Sequence, residues 1–146
     1  MAMLPFCGYN MGDYFGHYLD IGKRPGAKLP KIFYVNWFRT DENGKFLWPG
    51  YGENSRVLRW IFERCDGKVH AVDTPIGRLP EPVDLDTKGL DLPAANVAKL
   101  LNVDVDGWLA EVPLIREHFA KFGSHLPEGL NREVADLEDR LKKAKK

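Results

Sequence analysis

The apolar positions of the chain repeat at helical spacing in five stretches, most of them in the second half. This pattern predicts helices over residues 10–19, 54–65, 92–101, 104–122 and 131–145. Asn10 is suited to cap the first helix, because its side-chain oxygen can accept a backbone N–H that has no helical partner. Pro113 is expected to kink or split the fourth helix, since proline interrupts the internal hydrogen bonding.

The segments of extended character lie mainly in the first half. Residues 32–38 are β-branched and aromatic and are apolar on both faces, which predicts a buried strand. Asp-Glu-Asn-Gly at 41–44 predicts a tight hairpin turn, with residues 45–48 as the returning strand. Residues 69–82 are proline-rich and are also predicted to be extended. The predicted fold class is therefore α/β (α+β): a short mixed sheet or hairpin region with helices, followed by a helical C-terminal half.

The helix over residues 54–65 has the clearest apolar face. Its predicted stripe consists of Val57, Leu58, Ile61, Phe62 and Cys65. Asn54 or Ser55 can cap its start, and Gly67 can end it.

Composition is that of an ordinary globular protein. The 146 residues are 44% hydrophobic and 29% charged, and 21 basic side chains balance 21 acidic ones. Zero net charge gives no support for nucleic-acid or membrane partners. The sequence has no apolar run of the ~20 residues that a membrane span needs and no secretory signal pattern. Cys7 and Cys65 are expected to be reduced thiols, which fits a cytoplasmic location.

Residues 31–56 concentrate aromatic side chains around flexible turns. The aromatic members are Phe33, Tyr34, Trp37, Phe38, Phe46, Trp48 and Tyr51. They are interleaved with Gly44, Pro49, Gly50 and Gly52 and are followed by a polar cluster at 53–56. A hydrophobic core needs apolar side chains but does not need them on turns that contain glycine. A site that holds a flat ring uses both features. Stacking on aromatic faces contributes about 1–3 kcal/mol per base, and glycine permits close approach of the backbone.

Four segments in this region resemble a known family in order and spacing. They are PFCGYNMGDYFGHYL at 5–19, KLPKIFYVNWFR at 28–39, GKFLWPGYGENSRVLRWIF at 44–62 and TPIG at 74–77. Together they resemble the closing part of a GTP-dependent phosphoenolpyruvate carboxykinase. The resemblance is dense from Pro5 to Gly77 and thins afterwards to a helical pattern that fits the family's C-terminal end. It implies that residues 1–146 are the C-terminal portion of the family's nucleotide-binding domain, as a single unit within a larger enzyme.

The resemblance also implies a guanine pocket. Phe38, Phe46 and Tyr51 match the three aromatic positions of the family's pocket, although the family often has phenylalanine where this chain has Tyr51. Asn54 matches the asparagine that contacts the edge of the base, and Gly52 and Glu53 complete the cofactor-binding set. GTP or GDP is the implied ligand. Without the resemblance, these aromatics would be interpreted as core residues and Asn54 as a helix cap.

The chemistry of the family is expected to lie outside this chain. The resembled enzymes convert oxaloacetate and GTP to phosphoenolpyruvate, GDP and CO2 in gluconeogenesis, as lyases that decarboxylate their substrate. Their Mn2+ ligands and substrate-binding residues lie upstream of the matching region, so no catalytic or metal-binding residue is assigned here. Because the matching segments begin beside Met1, the chain is expected to be a C-terminal fragment that lacks turnover and whose partner is the N-terminal part of the enzyme.

Other candidate chemistry is weak. The four histidines are scattered without metal-binding spacing, no base can be paired with Cys7, and GxxxxGK[ST] is absent. Arg39 and Arg56 could clamp phosphate but are better explained as surface or strand-end ion pairs. A non-catalytic module that uses its aromatic residues to bind a protein or peptide is the alternative function.

Overall fold

Helices dominate the computed structural model, which describes residues 7–145. Its regular elements are α1 Met11–Gly22, α2 Asn54–Cys65, β1 Val72–Thr74, β2 Gly77–Leu79, α3 Ala94–Leu101, α4 Val105–Ala120 and α5 Glu128–Ala144. Short 3-10 turns lie at Tyr51–Glu53, Pro82–Asp84 and Gly123–His125. The predicted fold class is confirmed. Residues 1–6, which include the start of the resembling segment, and Lys146 lie outside the described residues.

The described chain divides into two compact units. The terminal unit consists of the described residues up to Pro30 and those from Asp104 onward, and the central unit is Lys31–Val103. The prediction that residues 1–146 belong to one nucleotide-binding domain as a single unit stays a prediction.

The terminal unit is built on the packing of α4 against α5. Val112 of α4 and Val134 and Leu141 of α5 are buried, and Arg116 of α4 forms an ion pair with Glu138 of α5. Helix α4 continues through Pro113 from Val105 to Ala120. Of the two predicted effects of this proline, the split was therefore wrong, and the kink stays a prediction. Its N-cap is Asp104, whose Oδ1 accepts the Gly107 N–H at 2.9 Å.

Helix α1 completes the terminal unit through its N-terminus. Asn10 caps the helix as predicted, accepting the Gly12 N–H on Oδ1 at 2.8 Å. Its Nδ2 donates to the Phe122 carbonyl at 3.1 Å, which ties the start of α1 to the end of α4. Gly12 lies against the His125 backbone so closely that a Cβ at this position would clash. The helix therefore requires glycine there.

The central unit buries five apolar side chains. They are Leu47, Trp48, Trp60, Leu85 and Val97. Helix α2 has the predicted bounds, and Gly67 lies just after it with φ of 72°. Its buried residue is Trp60, whereas Leu58, Phe62 and Cys65 of the predicted stripe are exposed. The predicted face of α2 was therefore wrong in part, because Trp60, which is outside the predicted stripe, is the residue that the helix buries.

Residues 32–38 do not form the predicted strand. Ile32 is 90% exposed and Tyr34 is 94% exposed, and within the described residues no strand pairs with this segment. A strand needs a hydrogen-bonded neighbour, and this segment has none here. Residues 45–48 are likewise not a full strand, since the pairing they make with described residues is the single antiparallel bridge between Thr40 and Phe46. The sheet of the described chain lies instead within residues 69–82, where β1 and β2 pair antiparallel with Asp73 opposite Arg78.

Candidate functional site

Two predicted site residues, Phe38 and Phe46, lie on either side of one turn. The Thr40–Phe46 bridge and a 2.9 Å hydrogen bond from the Leu47 N–H to the Arg39 carbonyl hold the two arms together. The phenylalanine ring centroids are 6.1 Å apart, with the planes inclined by 61°. Phe38 is 74% exposed and Phe46 is 57% exposed. The rings therefore contact each other at the surface and are not part of the core.

The turn between these rings is held by the side chain of Asp41. Its Oδ1 accepts the N–H groups of Asn43 and Lys45, both at 2.9 Å. The Asp41 N–H donates to the Lys45 carbonyl, also at 2.9 Å. Gly44 has φ of 76°, while Asn43 does not have a positive φ. The predicted turn is confirmed, and only its glycine uses the left-handed conformation.

Tyr51 is not in ring contact with the two phenylalanines. It opens the 3-10 turn Tyr51–Glu53 after Gly50, whose φ is 95°. Its side chain is 97% exposed, and no aromatic contact of Tyr51 occurs within residues 7–145. The structure thus brings together two of the three predicted aromatic residues and leaves the third in solvent.

Asn54 is the first residue of α2, but it does not cap the helix. The N-cap position is Glu53, and no side chain accepts a capping hydrogen bond there. Oδ1 of Asn54 instead accepts a hydrogen bond of 2.9 Å from Nε1 of Trp48. The capping role proposed for Asn54 was wrong because its oxygen is already used by the indole.

Gly52 and Glu53 form the rest of the turn that enters α2. The Gly52 carbonyl accepts the Ser55 hydroxyl at 3.1 Å, and Glu53 forms an ion pair with Arg56. The Glu53 N–H donates to the Gly50 carbonyl at 2.9 Å, and the Asn54 N–H donates to the Tyr51 carbonyl. Two backbone donors of this turn are therefore already used within the chain.

The two arginines near the site have internal partners. Arg39 donates from Nη1 to the carbonyls of Leu100, at 3.2 Å, and Asn102, at 3.0 Å. Arg39 therefore stabilises the C-terminal end of α3 and is not the ion pair that the sequence suggested. Arg56 is an ion-paired residue as predicted, since it contacts Glu53 and Asp86. Neither arginine needs a phosphate to account for its position.

An open cleft of about 660 Å³ lies beside the turn. Its lining residues are Arg39, Thr40, Asp41, Glu42, Leu47, Ala98, Lys99 and Asn102. Lys99 forms an ion pair with Glu42 at 2.9 Å, and this hydrogen bond holds the pKa of Glu42 below its ordinary range. None of the six predicted site residues lines the cleft. The six predicted site residues therefore lie outside this cleft.

No group of three His, Cys, Asp or Glu residues in the described part of the chain could hold a metal ion. The described residues also contain no helix that is both long enough and apolar enough to span a membrane. The residues present do not fit the Mn2+ that the resemblance implies for the whole enzyme, so no manganese chemistry is assigned to them.

Comparison with known proteins identifies the family. Residues 1–140 match the family described as phosphoenolpyruvate carboxykinase C-terminal P-loop domain. The chain belongs to this family. It is 61% identical over 145 residues to phosphoenolpyruvate carboxykinase [GTP] of Neocallimastix frontalis, and the match covers 98% of the chain and 24% of that relative.

Bacterial carboxykinases match over the same range. The chain is 54% identical over 142 residues to phosphoenolpyruvate carboxykinase [GTP] of Treponema pallidum subsp. pallidum, covering 96% of the chain and 23% of that relative. It is 51% identical over 142 residues to the Chlamydia abortus protein of the same name, covering 97% of the chain and 24% of that relative. The chain thus spans about a quarter of the length of these carboxykinases.

Sequence reasoning assigned no function to Trp48. It was counted among the aromatic residues, although its indole is buried and bonded to a predicted base-contacting residue. The sequence does contain a signal for this bond. A buried indole N–H requires an acceptor, and Asn54 lies six residues after Trp48, beyond the Pro-Gly bend. The six predicted site residues stay predictions.

Proposed function

We propose that this chain forms the surface that recognises the guanine base in a GTP-dependent phosphoenolpyruvate carboxykinase. The observation that carries the proposal is the contact between the exposed rings of Phe38 and Phe46, 6.1 Å apart across a hydrogen-bonded turn. Both rings expose much of their surface to solvent, and exposed aromatic faces can stack on a flat ligand. The family to which the chain belongs supplies the expected ligand, GTP or GDP.

The proposed site uses six residues in two roles. Phe38, Phe46 and Tyr51 stack on the base, with each stack contributing about 1–3 kcal/mol. Tyr51 adds the third face by moving from solvent onto the base when the nucleotide binds. The residues of the turn entering α2, Gly52, Glu53 and Asn54, lie along the edge of the base. Asn54 supplies the polar contact that separates guanine, and other purines with an oxygen at position 6, from adenine.

The reaction itself belongs to the whole enzyme. That enzyme converts oxaloacetate and GTP to phosphoenolpyruvate, GDP and CO2, in gluconeogenesis and in the cytoplasm, and uses Mn2+ to neutralise charge during phosphoryl transfer. The described chain lacks a set of residues suited to hold that metal. In this proposal the chain is the base-recognition portion, the C-terminal part of the nucleotide-binding domain, and the reaction centre belongs to the rest of the enzyme.

The rest of the enzyme is the proposed partner, and exposed apolar residues of the central unit support this. Ile32, Tyr34 and Val83 are almost fully exposed, which is costly for side chains of this size in water. Residues 32–38 have the composition of a buried strand but no strand beside them. A neighbouring part of the enzyme would supply both the cover and the hydrogen bonds.

Nucleotide titration of the 146-residue chain tests the proposal. Nucleotide binding is expected to quench the fluorescence of Trp48, because Trp48 is bonded to Asn54. If the site prefers guanine, GDP and IDP should quench at lower concentration than ADP. Equal responses to the three nucleotides, or no response to any, would contradict guanine recognition. Carboxykinase assays with Mn2+, oxaloacetate and GTP are expected to show no turnover, and measurable turnover would falsify the assignment of the reaction centre to the rest of the enzyme.

An aromatic-rich interaction module remains the second candidate function. The observation that favours it is the exposure of Ile32, Tyr34 and Tyr51, none of which packs in the core. Such a module would bind a protein or peptide without nucleotide preference. The same titration separates the two functions, since only base recognition predicts that GDP and IDP act before ADP.

A further inference from the structure

The hydrogen bond between Trp48 and Asn54 links a buried side chain to the predicted base edge. Trp48 is only 5% exposed, and its Nε1 donates to Oδ1 of Asn54 at 2.9 Å. Pro49 and Gly50 bend the chain between them, with Gly50 at φ of 95°. The bend returns the start of α2 to the indole. Asn54 is therefore held by a group whose own position is fixed by the core.

The chemistry of the two groups decides which way the amide of Asn54 faces. An indole N–H donates and cannot accept, so the atom opposite Trp48 must be the amide oxygen. If the amide turned over, two donors would face each other and the buried indole N–H would lose its partner. This orientation leaves Nδ2 as the polar side-chain atom of Asn54 that is not bonded to Trp48. Within residues 7–145, this Nδ2 makes no hydrogen bond.

We propose that Trp48 is a positioning residue that makes Asn54 offer a donor, and not an acceptor, to the purine ring. This inference rests on the proposed function and assigns the source of its base selectivity. Guanine presents the acceptor O6 at the position where adenine presents the donor N6–H2. A fixed N–H of Asn54 therefore bonds to O6 of guanine and meets the amino group of adenine donor to donor.

Without Trp48, the amide could serve either base. Asparagine carries one acceptor and one donor group at nearly the same positions, so a half-turn of the amide would let Oδ1 accept from N6–H2 of adenine. Discrimination arises because this half-turn is blocked by the indole and not because Asn54 is present. Hypoxanthine keeps O6 but lacks the 2-amino group, so IDP is expected to bind like GDP.

Trp48→Phe tests the proposal, and Trp60→Phe is the matched control. Both tryptophans are 5% exposed, but Nε1 of Trp60 is buried and has no hydrogen-bond partner among residues 7–145. The two variants therefore remove similar buried indoles, and only Trp48→Phe removes a hydrogen bond. Calorimetric titration with GDP, IDP and ADP gives the affinities, and circular dichroism with thermal melting monitors folding.

The expected results distinguish the positioning role of Trp48 from guanine recognition itself. The ratio of GDP to ADP affinity is expected to fall about fivefold to tenfold in Trp48→Phe, the value of one hydrogen bond. It should stay within about twofold of the wild type in Trp60→Phe. If wild type discriminates and Trp48→Phe retains the full ratio, the positioning role is wrong while guanine recognition stands. If wild type itself does not discriminate, the proposed function fails.

Asn54→Asp provides a second test that does not require Trp48 to change. The variant carboxylate can still accept the Trp48 N–H on one oxygen, but its other oxygen is an acceptor. If Asn54 normally offers Nδ2, this change should lower GDP and IDP affinity at least about tenfold and leave ADP affinity equal or higher. If Asn54 instead used its oxygen on the N1–H edge of guanine, GDP affinity would be kept or raised, which would overturn the proposal.

Discussion

The rings of Phe38 and Phe46 meet edge to face across the turn at residues 41–45, with their centroids 6.1 Å apart. Neither ring is in the core, so the core does not set their spacing. The spacing is set by the backbone, through the Thr40–Phe46 bridge and the hydrogen bond from Leu47 to Arg39. Leu47, the next residue after Phe46, points inward and is buried. One short hairpin therefore combines a structural side chain with an exposed aromatic pair.

Phe38→Ala is expected to weaken guanine nucleotide binding without destabilising the fold. The exposed ring contributes little to folding, whereas removal of one stacking face should cost about 1–3 kcal/mol of binding. Calorimetric titration with GDP and thermal melting measure the two effects separately. The matched control is Phe62→Ala, which removes another exposed phenylalanine outside the predicted site and should leave GDP affinity unchanged.

Leu47→Ala is expected to destabilise the fold, whereas Phe38→Ala is expected to weaken nucleotide binding and leave stability unchanged. Leu47 is 4% exposed, and truncation of a buried leucine costs about 2–5 kcal/mol of stability. Chemical denaturation is expected to show this loss in the free energy of unfolding. A Phe38→Ala variant that unfolds as readily as Leu47→Ala would mean that the aromatic pair is structural, and the stacking interpretation would then be wrong.

Local signals in the sequence predicted the helices of this chain well. The bounds of α2 follow from its apolar spacing and from Gly67, and Asn10 caps α1 through the interaction that its side chain favours. The turn at 41–44 was predictable because Gly44 alone supplies the positive φ that the turn needs. These features depend on residues within a few positions of each other, so the sequence contains the information directly.

Features that depend on distant neighbours were not predictable in the same way. Residues 32–38 carry β-branched and aromatic residues, yet no strand within the described chain pairs with them, and composition cannot supply the partner. On the buried side of α2, the ring centroids of Trp60 and Phe33 lie 6.2 Å apart. Helical spacing alone does not indicate this contact. The candidate site residues were predicted by resemblance, whereas the orientation of Asn54 depends on the burial of Trp48 and on its hydrogen bond to Asn54.

Gly44→Ala is expected to destabilise the chain by about 1–2 kcal/mol, because φ of 76° is unfavourable for a residue with a Cβ. There is open space around the added methyl group, so the cost is conformational and not steric. Gly8→Ala also enters open space but does not require a positive φ, and its effect should be small. Equal unfolding free energies for the two variants would show that the turn adapts without strain.

Arg39→Met is expected to destabilise the central unit by about 1–3 kcal/mol. Methionine keeps much of the apolar stem, but the Leu100 and Asn102 carbonyls lose the guanidinium donor. Arg78→Met is the control, because the interaction that the described part of the chain gives Arg78 is an exposed ion pair with Asp73. Such pairs contribute little, so denaturant unfolding should separate the variants clearly. Similar stabilities would contradict a role for Arg39 at the end of α3.

Glu138→Gln is expected to lower the melting temperature at neutral pH and to have no such effect in acid. The pKa of Glu138 lies below its ordinary value of 4.5, because of hydrogen bonds from Lys142 first and then from Arg116. A carboxyl whose pKa is lowered by folding stabilises the protein above its unfolded-state pKa, and this contribution is lost as pH falls through the folded-state pKa.

Melting curves of wild type and Glu138→Gln over a pH series measure this contribution. The difference between the two proteins should be largest near pH 7 and should close as the pH falls below about 4.5. Asp139→Asn is the control, because Asp139 has an ion pair with Lys143 on the same helix but none that the structure records with α4. In strong acid the carboxyl of Glu138 is protonated, and its ion pair with Arg116 no longer connects α4 and α5. A difference in melting temperature that persisted there would have to come from packing and not from charge.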